Sequence, residues 1–558
     1  MKVLDYEKRK NKELFNDFKF LKNMDVEKIQ NYIPIYSKFF NFKENTNINL
    51  NHSNYLTGIK DNTDLNTRND KLFSEKIFTV EVMNKEKKEI RKSFLKNSSV
   101  FDISRFLIGK YDLKDEIFYK LPDTSNNGHS SLYDTNNISY VDTLFSFLSS
   151  QLLNNYGVIN ALDYYGSFLA IVRNFSVDIS EDIEYFVDSD YFMKNRNKLF
   201  KIDNMEFKKP LLILDDSVEL EFDCLESLDI ETPIDSKIEN CVEDCVEDCV
   251  EDCVEDCVED LESNDSEKID NKNSQDESSD EGSDENSDES SKGSEESEYS
   301  TESEYSSTQL NVVFDKCLVQ ITSLEYCVNT LDDLILTKKL VDETEWLSCL
   351  FQIIMTLIIF QDTFSFTHND LHTNNIMFTS TDDEFLFYCY KGQNYKVPTF
   401  GKIFKIIDFG RSIYKINNNL ICSNSFQPKG DAHTQYNTEP YFNNKKKRID
   451  PNFSFDLCRL ACSMWDNFLS VNNIEKTIKQ NKIANIVNEW CSDDNGISVL
   501  YKSNGCERYP NFKLYKMIAR TVHNHTPHNQ LLRDEFKQFR VDSADNVINI
   551  DLIPKMFT

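Results

Sequence analysis

The feature that most constrains how this chain can fold is a long apolar segment, followed after a few residues by a run of polar side chains that could bind ligands or take part in catalysis. Residues 342–360 open with an acidic, cap-like sequence and continue apolar on nearly every side, which predicts a helix buried at the centre of a domain. Residues 368–377 follow and contain two His, one Asp and three Asn. An apolar strand predicted at residues 404–407 then leads into Asp408-Phe409-Gly410. Because buried elements hold the residues at their ends in place, we expect these polar groups to form one site.

An Asp followed five residues later by an Asn, between a buried helix and a strand, resembles the catalytic loop of protein kinases. In that family the residue at Asp370 accepts the proton of the attacking hydroxyl, and the residue at Asn375 helps to hold magnesium. His368 belongs to the same loop, and Asp408 resembles the residue that bridges the metal to the phosphates. The resemblance implies ATP and Mg²⁺, or Mn²⁺ in its place, as cofactors. Each motif alone is common, but both in this order are a specific signal.

The segment that starts at Phe455 adds a weaker sign of the same family. Asp456 resembles the residue at the start of a large C-lobe helix that braces the catalytic-loop backbone. An Asp near a helix start is also an ordinary helix cap. Both interpretations of Asp456 are compatible with the sequence.

The nucleotide side of the site is less clearly marked. Lys96, at the end of an apolar stretch, is the best match to the phosphate-binding Lys, and Glu325 and Cys327 lie where a kinase hinge would hold adenine. Asp142 is either the acidic partner of that Lys or a helix cap. The chain contains no Gly-x-Gly-x-x-Gly sequence. Elements predicted around these positions are strands at residues 77–83, 90–95, 164–172, 210–214 and 317–324, and helices at 142–154 and 330–336.

The strongest charge is confined to one low-complexity tract. The formal net charge is −33, and residues 239–306 hold 28 Asp and Glu against 3 Lys, which leaves −8 for the rest of the chain. Cys-Val-Glu-Asp occurs five times there, from Cys241 to Cys257 and onward. A tract this acidic cannot bury enough apolar surface to fold, so we predict disorder and an attraction for basic partners. A slipped repeat explains the cysteines better than a soft-metal site, because thiolate sites need turns that fold their ligands inward.

The chain from residue 20 to 558 is similar to divergent protein kinases of large nucleocytoplasmic DNA viruses, including iridoviruses and mimivirus relatives. The segments that carry this resemblance are residues 29–42, 106–111, 140–142, 164–170 and 397–410, with the catalytic loop. It implies an α+β, bilobal protein-kinase-like fold with a β-rich N-lobe, a mainly helical C-lobe and a long disordered acidic insertion. The expected boundaries are an N-terminal extension (1–70), the first part of the N-lobe (71–235), the insertion (236–308), the last N-lobe strand and hinge (309–329) and the C-lobe (330–558).

The resemblance implies a serine/threonine-protein kinase that acts on an unidentified protein. The mildly acidic remainder has no basic footprint, so we expect no nucleic-acid partner. No secretory signal opens the chain, and the apolar run at residues 350–360 is too short to span a bilayer. We therefore expect no membrane partner and a location in the host cytoplasm or the virion.

Two alternatives remain open. His372 stands where Ser/Thr kinases have a Lys, and phosphotransferases of the aminoglycoside and choline type often have a His near that position. The missing Gly-rich loop would also suit a catalytically weak pseudokinase that recruits partners. Asn369 stands where kinases switched by activation-loop phosphorylation have an Arg, which predicts activity independent of such phosphorylation.

Overall fold

The computed structural model describes residues 4–21, 24–42, 48–60, 76–180, 182–203, 310–340 and 342–557. The strand predicted at residues 210–214, the Cys-Val-Glu-Asp repeats and the acidic tract lie outside the described residues. Mixed α and β structure fills the described part, with most strands early in the chain and most helices later.

The strands are β1 (Tyr6–Lys8), β2 (Asp25–Gln30), β3 (Ile48–Leu50), β4 (Asn54–Lys60), β5 (Ile77–Asn84), β6 (Lys87–Ser99), β7 (Tyr164–Asp178), β8 (Lys201–Asp203), β9 (Asn311–Glu325), β10 (Asn329–Thr330), β11 (Ile376–Ser380), β12 (Phe385–Tyr390), β13 (Gln393–Pro398), β14 (Lys402–Ile406), β15 (Ile413–Ile416), β16 (Asn419–Cys422), β17 (Arg540–Val541) and β18 (Ile548–Asn549). The helices are α1 (Lys12–Phe20), α2 (Ile103–Leu107), α3 (Ser130–Tyr133), α4 (Ile138–Tyr156), α5 (Ile183–Val187), α6 (Asp190–Asn195), α7 (Leu331–Leu336), α8 (Glu343–Phe364), α9 (Phe455–Phe468), α10 (Ile474–Gln480), α11 (Lys482–Trp490), α12 (Lys513–Thr521), α13 (Pro527–Gln530) and α14 (Asp534–Lys537). We call the described residues up to 330 the β-rich region and those from 331 onward the helix-rich region.

One antiparallel sheet forms the centre of the β-rich region. Its strand order is β2-β7-β9-β6-β5-β4, and β8 also pairs with β9. The pairing of β6 with β9 places Lys96 opposite Thr322. Strands β2 and β4 come from residues 1–70, so part of the segment expected as an extension is built into this sheet.

Helix α4 lies where the two regions meet. Its N-terminus is capped by the Asn137 side chain, which accepts a hydrogen bond from the Ser139 amide, and it ends at Gly157 in a left-handed conformation (φ 68°). The ring of Phe145, on α4, lies 4.2 Å from the ring of Phe366 and 4.7 Å from that of Phe409, measured between centroids. The hydrophobic core therefore continues from the β-rich region into the helix-rich region.

Helix α8 is the central helix of the helix-rich region. Asp342 caps its start, and Ser365, in a left-handed conformation (φ 52°), ends it. The helix is long and apolar enough to cross a membrane by length and composition, and 94% of its most apolar window is buried inside the protein. Such burial is what the core helix of a domain shows, and it fits the buried helix predicted at residues 342–360.

Most of the predicted elements are confirmed, and most of these extend beyond the predicted bounds. The confirmed strands are β5, β6, β7, β9 and β14, and the confirmed helices are α4, α7 and α8. The hairpin of β12 and β13 is an element that the sequence analysis missed. Its turn has Lys391 at φ 50° and Gly392 at φ 72°. Two successive left-handed residues are typical of a tight hairpin turn, and this Lys-Gly pair between aromatic stretches was the available signal.

Candidate functional site

The loop that follows α8 is fixed to the start of α9 by one buried carboxylate. The backbone amides of His368 and Asn369 each donate to an oxygen of Asp456, both at 2.9 Å. Asp456 is fully buried, and burial raises the pKa of its carboxyl in spite of these two hydrogen bonds. Asp456 thus binds the loop backbone, as one of its two interpretations predicted, and Ser454 rather than Asp456 is the residue before the helix.

Both ring nitrogens of His368 lie within hydrogen-bonding distance of the backbone. The Asp370 amide donates to Nδ1 at 3.3 Å, and Nε2 lies 2.9 Å from the carbonyl oxygen of Ile407. The ring is fully buried, 5.9 Å from the ring of Phe409. His368 therefore ties the loop to the strand end that carries Asp408.

The carboxylate of Asp370 is held from two other parts of the chain. The hydroxyl of Tyr515, on α12, donates to Oδ1 at 2.8 Å, and Nη1 of Arg411 lies 3.3 Å from Oδ2. Arg411 also pairs with Asp431 at 2.7 Å. Neither Tyr515 nor Arg411 was predicted from the sequence as a site residue. Arg411 directly follows Gly410 and was within reach of a local reading, whereas Tyr515 lies 145 residues after Asp370 and gave no signal.

Asn375 turns its side-chain amide nitrogen back into the loop. Nδ2 lies 2.9 Å from the carbonyl oxygen of Asp370 and 3.0 Å from Nε2 of His372. Because Nε2 accepts this hydrogen bond, His372 is neutral, and burial lowers its pKa below the usual value. Of the side-chain atoms of Asn375, the amide oxygen is the one suited to a cation.

Three charged side chains from separate elements meet on the other side of the site. Nζ of Lys96 lies 2.8 Å from Oδ2 of Asp142 and 3.0 Å from Oδ1 of Asp408. The Asp142 side chain is 6% exposed, that of Lys96 24% and that of Asp408 48%. Asp142 lies inside α4, so it is the acidic partner of Lys96 and not a helix cap.

The pKa values in this cluster follow from burial and from the ion pairs. Burial alone would lower the pKa of Lys96, but the two carboxylates raise it above its usual value. Burial also raises the pKa of Asp142, which is the more enclosed acid. For Asp408 the effect of burial is outweighed by Lys96, and its pKa falls below the usual value. Asp408 is therefore an anion at neutral pH.

The backbone around Asp408 is held in an unusual conformation. Asp408 has φ 61°, and the next amide, that of Phe409, donates to Oδ1 of Asp142 at 2.8 Å. The Phe409 ring is buried against Phe145 and His368. Asp142 thus contacts both Lys96 and the residue after Asp408, which fixes the direction of the Asp408 side chain.

Of the two residues predicted to lie at the hinge, Glu325 is the last residue of β9 and Cys327 follows two residues later. The Glu325 carboxylate pairs with Nζ of the buried Lys405 at 2.8 Å, and its backbone amide donates to the carbonyl oxygen of Asp163. Cys327 is buried, and burial raises the pKa of its thiol to about 12. The Glu325 side chain therefore has a structural contact, and the backbone groups near Cys327 are the candidates to contact the adenine of a nucleotide.

The described residues contain no group of three or more His, Cys, Asp or Glu side chains that could hold a metal ion by themselves. Mg²⁺ usually takes one or two carboxylates and fills its other positions with water and substrate phosphates. The anionic, half-exposed Asp408 carboxylate and the amide oxygen of Asn375 are oxygen donors of that kind, so these residues fit the magnesium that the resemblance implies.

The chain is similar to a viral protein over part of its length. Over 208 residues it is 29% identical to a protein of Acanthamoeba polyphaga mimivirus named "Putative serine/threonine-protein kinase R301". The match covers 34% of this chain and 46% of that protein, so the chain spans less than half the length of this relative. No protein-family model matches the chain. The similarity supports a kinase-like family and kinase-like phosphotransfer, at low identity and low coverage.

Proposed function

We propose that this chain is a bilobal protein-kinase-like enzyme that transfers the terminal phosphoryl group of ATP to Ser or Thr hydroxyls of a protein. The observation that carries the proposal is the contact of Lys96 with both Asp142 and Asp408. A partly buried ammonium beside an ionised, half-exposed carboxylate is the pair that a phosphate and its cation require. The mimivirus relative supports the same class of reaction.

Each residue of the site has a role in this proposal. Lys96 would hold the phosphates next to the transferred group, with Asp142 keeping its side chain in place. Asp408 and the amide oxygen of Asn375 would hold Mg²⁺, which neutralises charge that develops on the phosphates. Asp370 would accept the proton of the attacking hydroxyl, and backbone groups near Cys327 would contact the adenine.

The test is phosphotransfer from radiolabelled ATP to casein and to a basic protein, with Mg²⁺ and with Mn²⁺. We expect transfer by the wild type and a loss of about a hundredfold or more in Asp370→Asn and in Asp408→Asn, since each removes a charge that the chemistry needs. Asp382→Asn, at an exposed position between β11 and β12, is the matched control and should retain full activity. Undiminished transfer by Asp370→Asn would refute the assignment.

A second candidate is phosphotransfer to a small molecule, and His372 favours it. A neutral His cannot supply the fixed positive charge that a Lys gives at this position in Ser/Thr kinases. A panel of aminoglycosides and amino-alcohols, offered in the same assay, separates the two candidates. If neither class of acceptor is used and MgATP does not raise the thermal midpoint, the pseudokinase alternative is favoured, because a bound ligand must stabilise the folded state.

A further inference from the structure

Both oxygens of the Asp370 carboxylate are already engaged by side chains of this chain. Arg411 contacts Oδ2 at 3.3 Å, and the Tyr515 hydroxyl donates to Oδ1 at 2.8 Å. A general base must lie about 2.6–3.2 Å from the hydroxyl whose proton it accepts. The Tyr515 hydroxyl therefore has the donor type and the distance that an acceptor hydroxyl would need.

The surroundings of Tyr515 hold its ring in this position. The ring stacks on Phe512 with centroids 5.4 Å apart, and the guanidinium carbon of Arg459 lies 5.0 Å from its centroid. Burial raises the pKa of Tyr515, so its hydroxyl keeps its proton at neutral pH and remains a donor. These ring contacts fix the Tyr515 side chain in position to bind Asp370.

We propose that Tyr515 is an acceptor-selecting residue, which occupies the proton-accepting oxygen of Asp370 until the hydroxyl of a protein acceptor displaces it. The proposal rests on the proposed function, because it takes Asp370 as the general base. An acceptor bound by many contacts can replace one hydrogen bond, whereas a single water molecule gains too little to do so. Tyr515 would thus weaken acceptor binding slightly and suppress the transfer of phosphate to water.

The test compares Tyr515→Phe with wild type, because this change removes the hydroxyl and keeps the ring. The matched control is Tyr501→Phe, which removes a tyrosine hydroxyl from a different carboxylate, that of Asp466. We expect the KM for the protein acceptor to fall roughly two- to tenfold in Tyr515→Phe, the range that corresponds to the net value of one hydrogen bond. The KM for ATP should not change, and ATP hydrolysis without acceptor should rise by a similar factor. Tyr501→Phe should match wild type in all three.

Three results would overturn the proposal. A lower kcat with an unchanged acceptor KM would show that Tyr515 positions Asp370 for reaction. Phosphate found on Tyr515 of the wild type by mass spectrometry would show that it is itself an acceptor. Unchanged acceptor KM and unchanged hydrolysis would leave Tyr515 without a role in selection.

A measurement that needs no activity separates failure of this proposal from failure of the proposed function. In a double-mutant cycle of Tyr515→Phe and Asp370→Asn, the unfolding midpoints should show coupling between the two side chains. Coupling without phosphotransfer in any variant would remove the proposed function and the selecting role with it. Phosphotransfer without coupling would remove the selecting role alone.

Discussion

The two acidic residues of the site, Asp408 and Asp370, are held by different regions of the molecule and by different forces. Asp408 is contacted by Lys96 of the β-rich region, which also pairs with the buried Asp142. Asp370 is held within the helix-rich region, by Arg411 and by the hydroxyl of Tyr515. In the proposed reaction the β-rich region prepares the phosphate side through charge. The helix-rich region prepares the acceptor side through partners that an acceptor can replace.

The largest effect on stability is expected on the Asp370 side, at Asp456. Asp456→Ala leaves the buried amides of His368 and Asn369 without acceptors. Each buried unsatisfied amide costs about 1–3 kcal/mol, so we expect the free energy of unfolding to fall by about 4 kcal/mol. Asp456→Asn keeps one acceptor oxygen and should lose about half as much. Urea unfolding of both variants measures the difference, and equal losses would contradict this account.

A somewhat smaller loss is expected on the Asp408 side, where charge and not hydrogen bonding decides. Lys96→Met leaves Asp142, 6% exposed, without its cation, and we expect a loss of about 3 kcal/mol. The double variant Lys96→Met with Asp142→Asn should recover most of this, because it removes the uncompensated charge and keeps an acceptor for the Phe409 amide. Lys92→Met, an exposed position on the same strand, is the control and should change stability by less than about 0.5 kcal/mol.

If the double variant is no more stable than Lys96→Met, the loss comes from packing of the Lys side chain. An unpaired charge on Asp142 would then not be its cause. Differential scanning calorimetry and urea unfolding should agree on the order of the three variants. Removing the charge of Asp456 should not restore stability in this way, because the partners of Asp456 are backbone amides and not a cation.

The β-rich region contains a second point that is sensitive to charge, at His52. Its ring nitrogens lie 2.6 Å from the carbonyl oxygen of Leu50 and 3.0 Å from that of Tyr165, and Arg9 lies 3.4 Å from Nε2. Burial, followed by the nearby Arg9, lowers the pKa of His52 to about 3. In the unfolded chain the pKa of this side chain is near 6.5. As the pH falls, His52 is therefore protonated in the unfolded state before it is protonated in the folded state.

Because its pKa is lower in the folded state, His52 makes the protein less stable as the pH falls. Its contribution to the free energy of unfolding is complete above pH 6.5 and is lost as the pH falls toward 3, at about 1.4 kcal/mol per pH unit. Between pH 6.5 and 5 we expect wild type to lose about 2 kcal/mol relative to His52→Gln, which has no such group. Urea unfolding of both proteins at pH 7.5 and pH 5 measures the difference, since other titrating groups cancel. If the difference in stability between the two proteins is the same at both pH values, folding does not lower the pKa of His52.

The spacing within the Asp370 loop was easier to predict than the contacts that join distant parts of the chain, for physical reasons that individual residues show. The spacing of Asp370 and Asn375 is local, and a short loop between buried elements has few conformations. The roles of Lys96 and Asp142 depend on how a strand and a helix meet, and the sequence left Asp142 between a cap and an ion-pair partner. Tyr515 depends on packing across 145 residues, which no local pattern encodes.

The strands of the first 60 residues were missed for a related reason. Strands β2 and β4 are short and bordered by charged and Asn-rich sequence, and they become strands by pairing with β7 and β5. Long elements with strong apolar character, such as α8 and β9, carry their own signal. The sequence therefore indicates the centre of each region better than its edges.

The smallest expected effect concerns Asn369, beside Asp370, where phosphorylation-switched kinases have an Arg. Its Nδ2 donates to the carbonyl oxygen of Arg411 at 2.9 Å, and its Oδ1 accepts from the Tyr436 hydroxyl at 2.8 Å. These neutral hydrogen bonds connect the loop to the segment after Asp408, and none of them needs a phosphate or supplies a charge to bind one.

Phosphatase treatment should therefore change the initial rate of phosphotransfer by less than about twofold, which is less than the value of a single charge-assisted hydrogen bond. Mass spectrometry of the treated protein confirms that phosphate was removed, and a mock-treated sample is the control. A large fall in rate would show that a phosphate contributes a charge that the Asn369 contacts do not reveal.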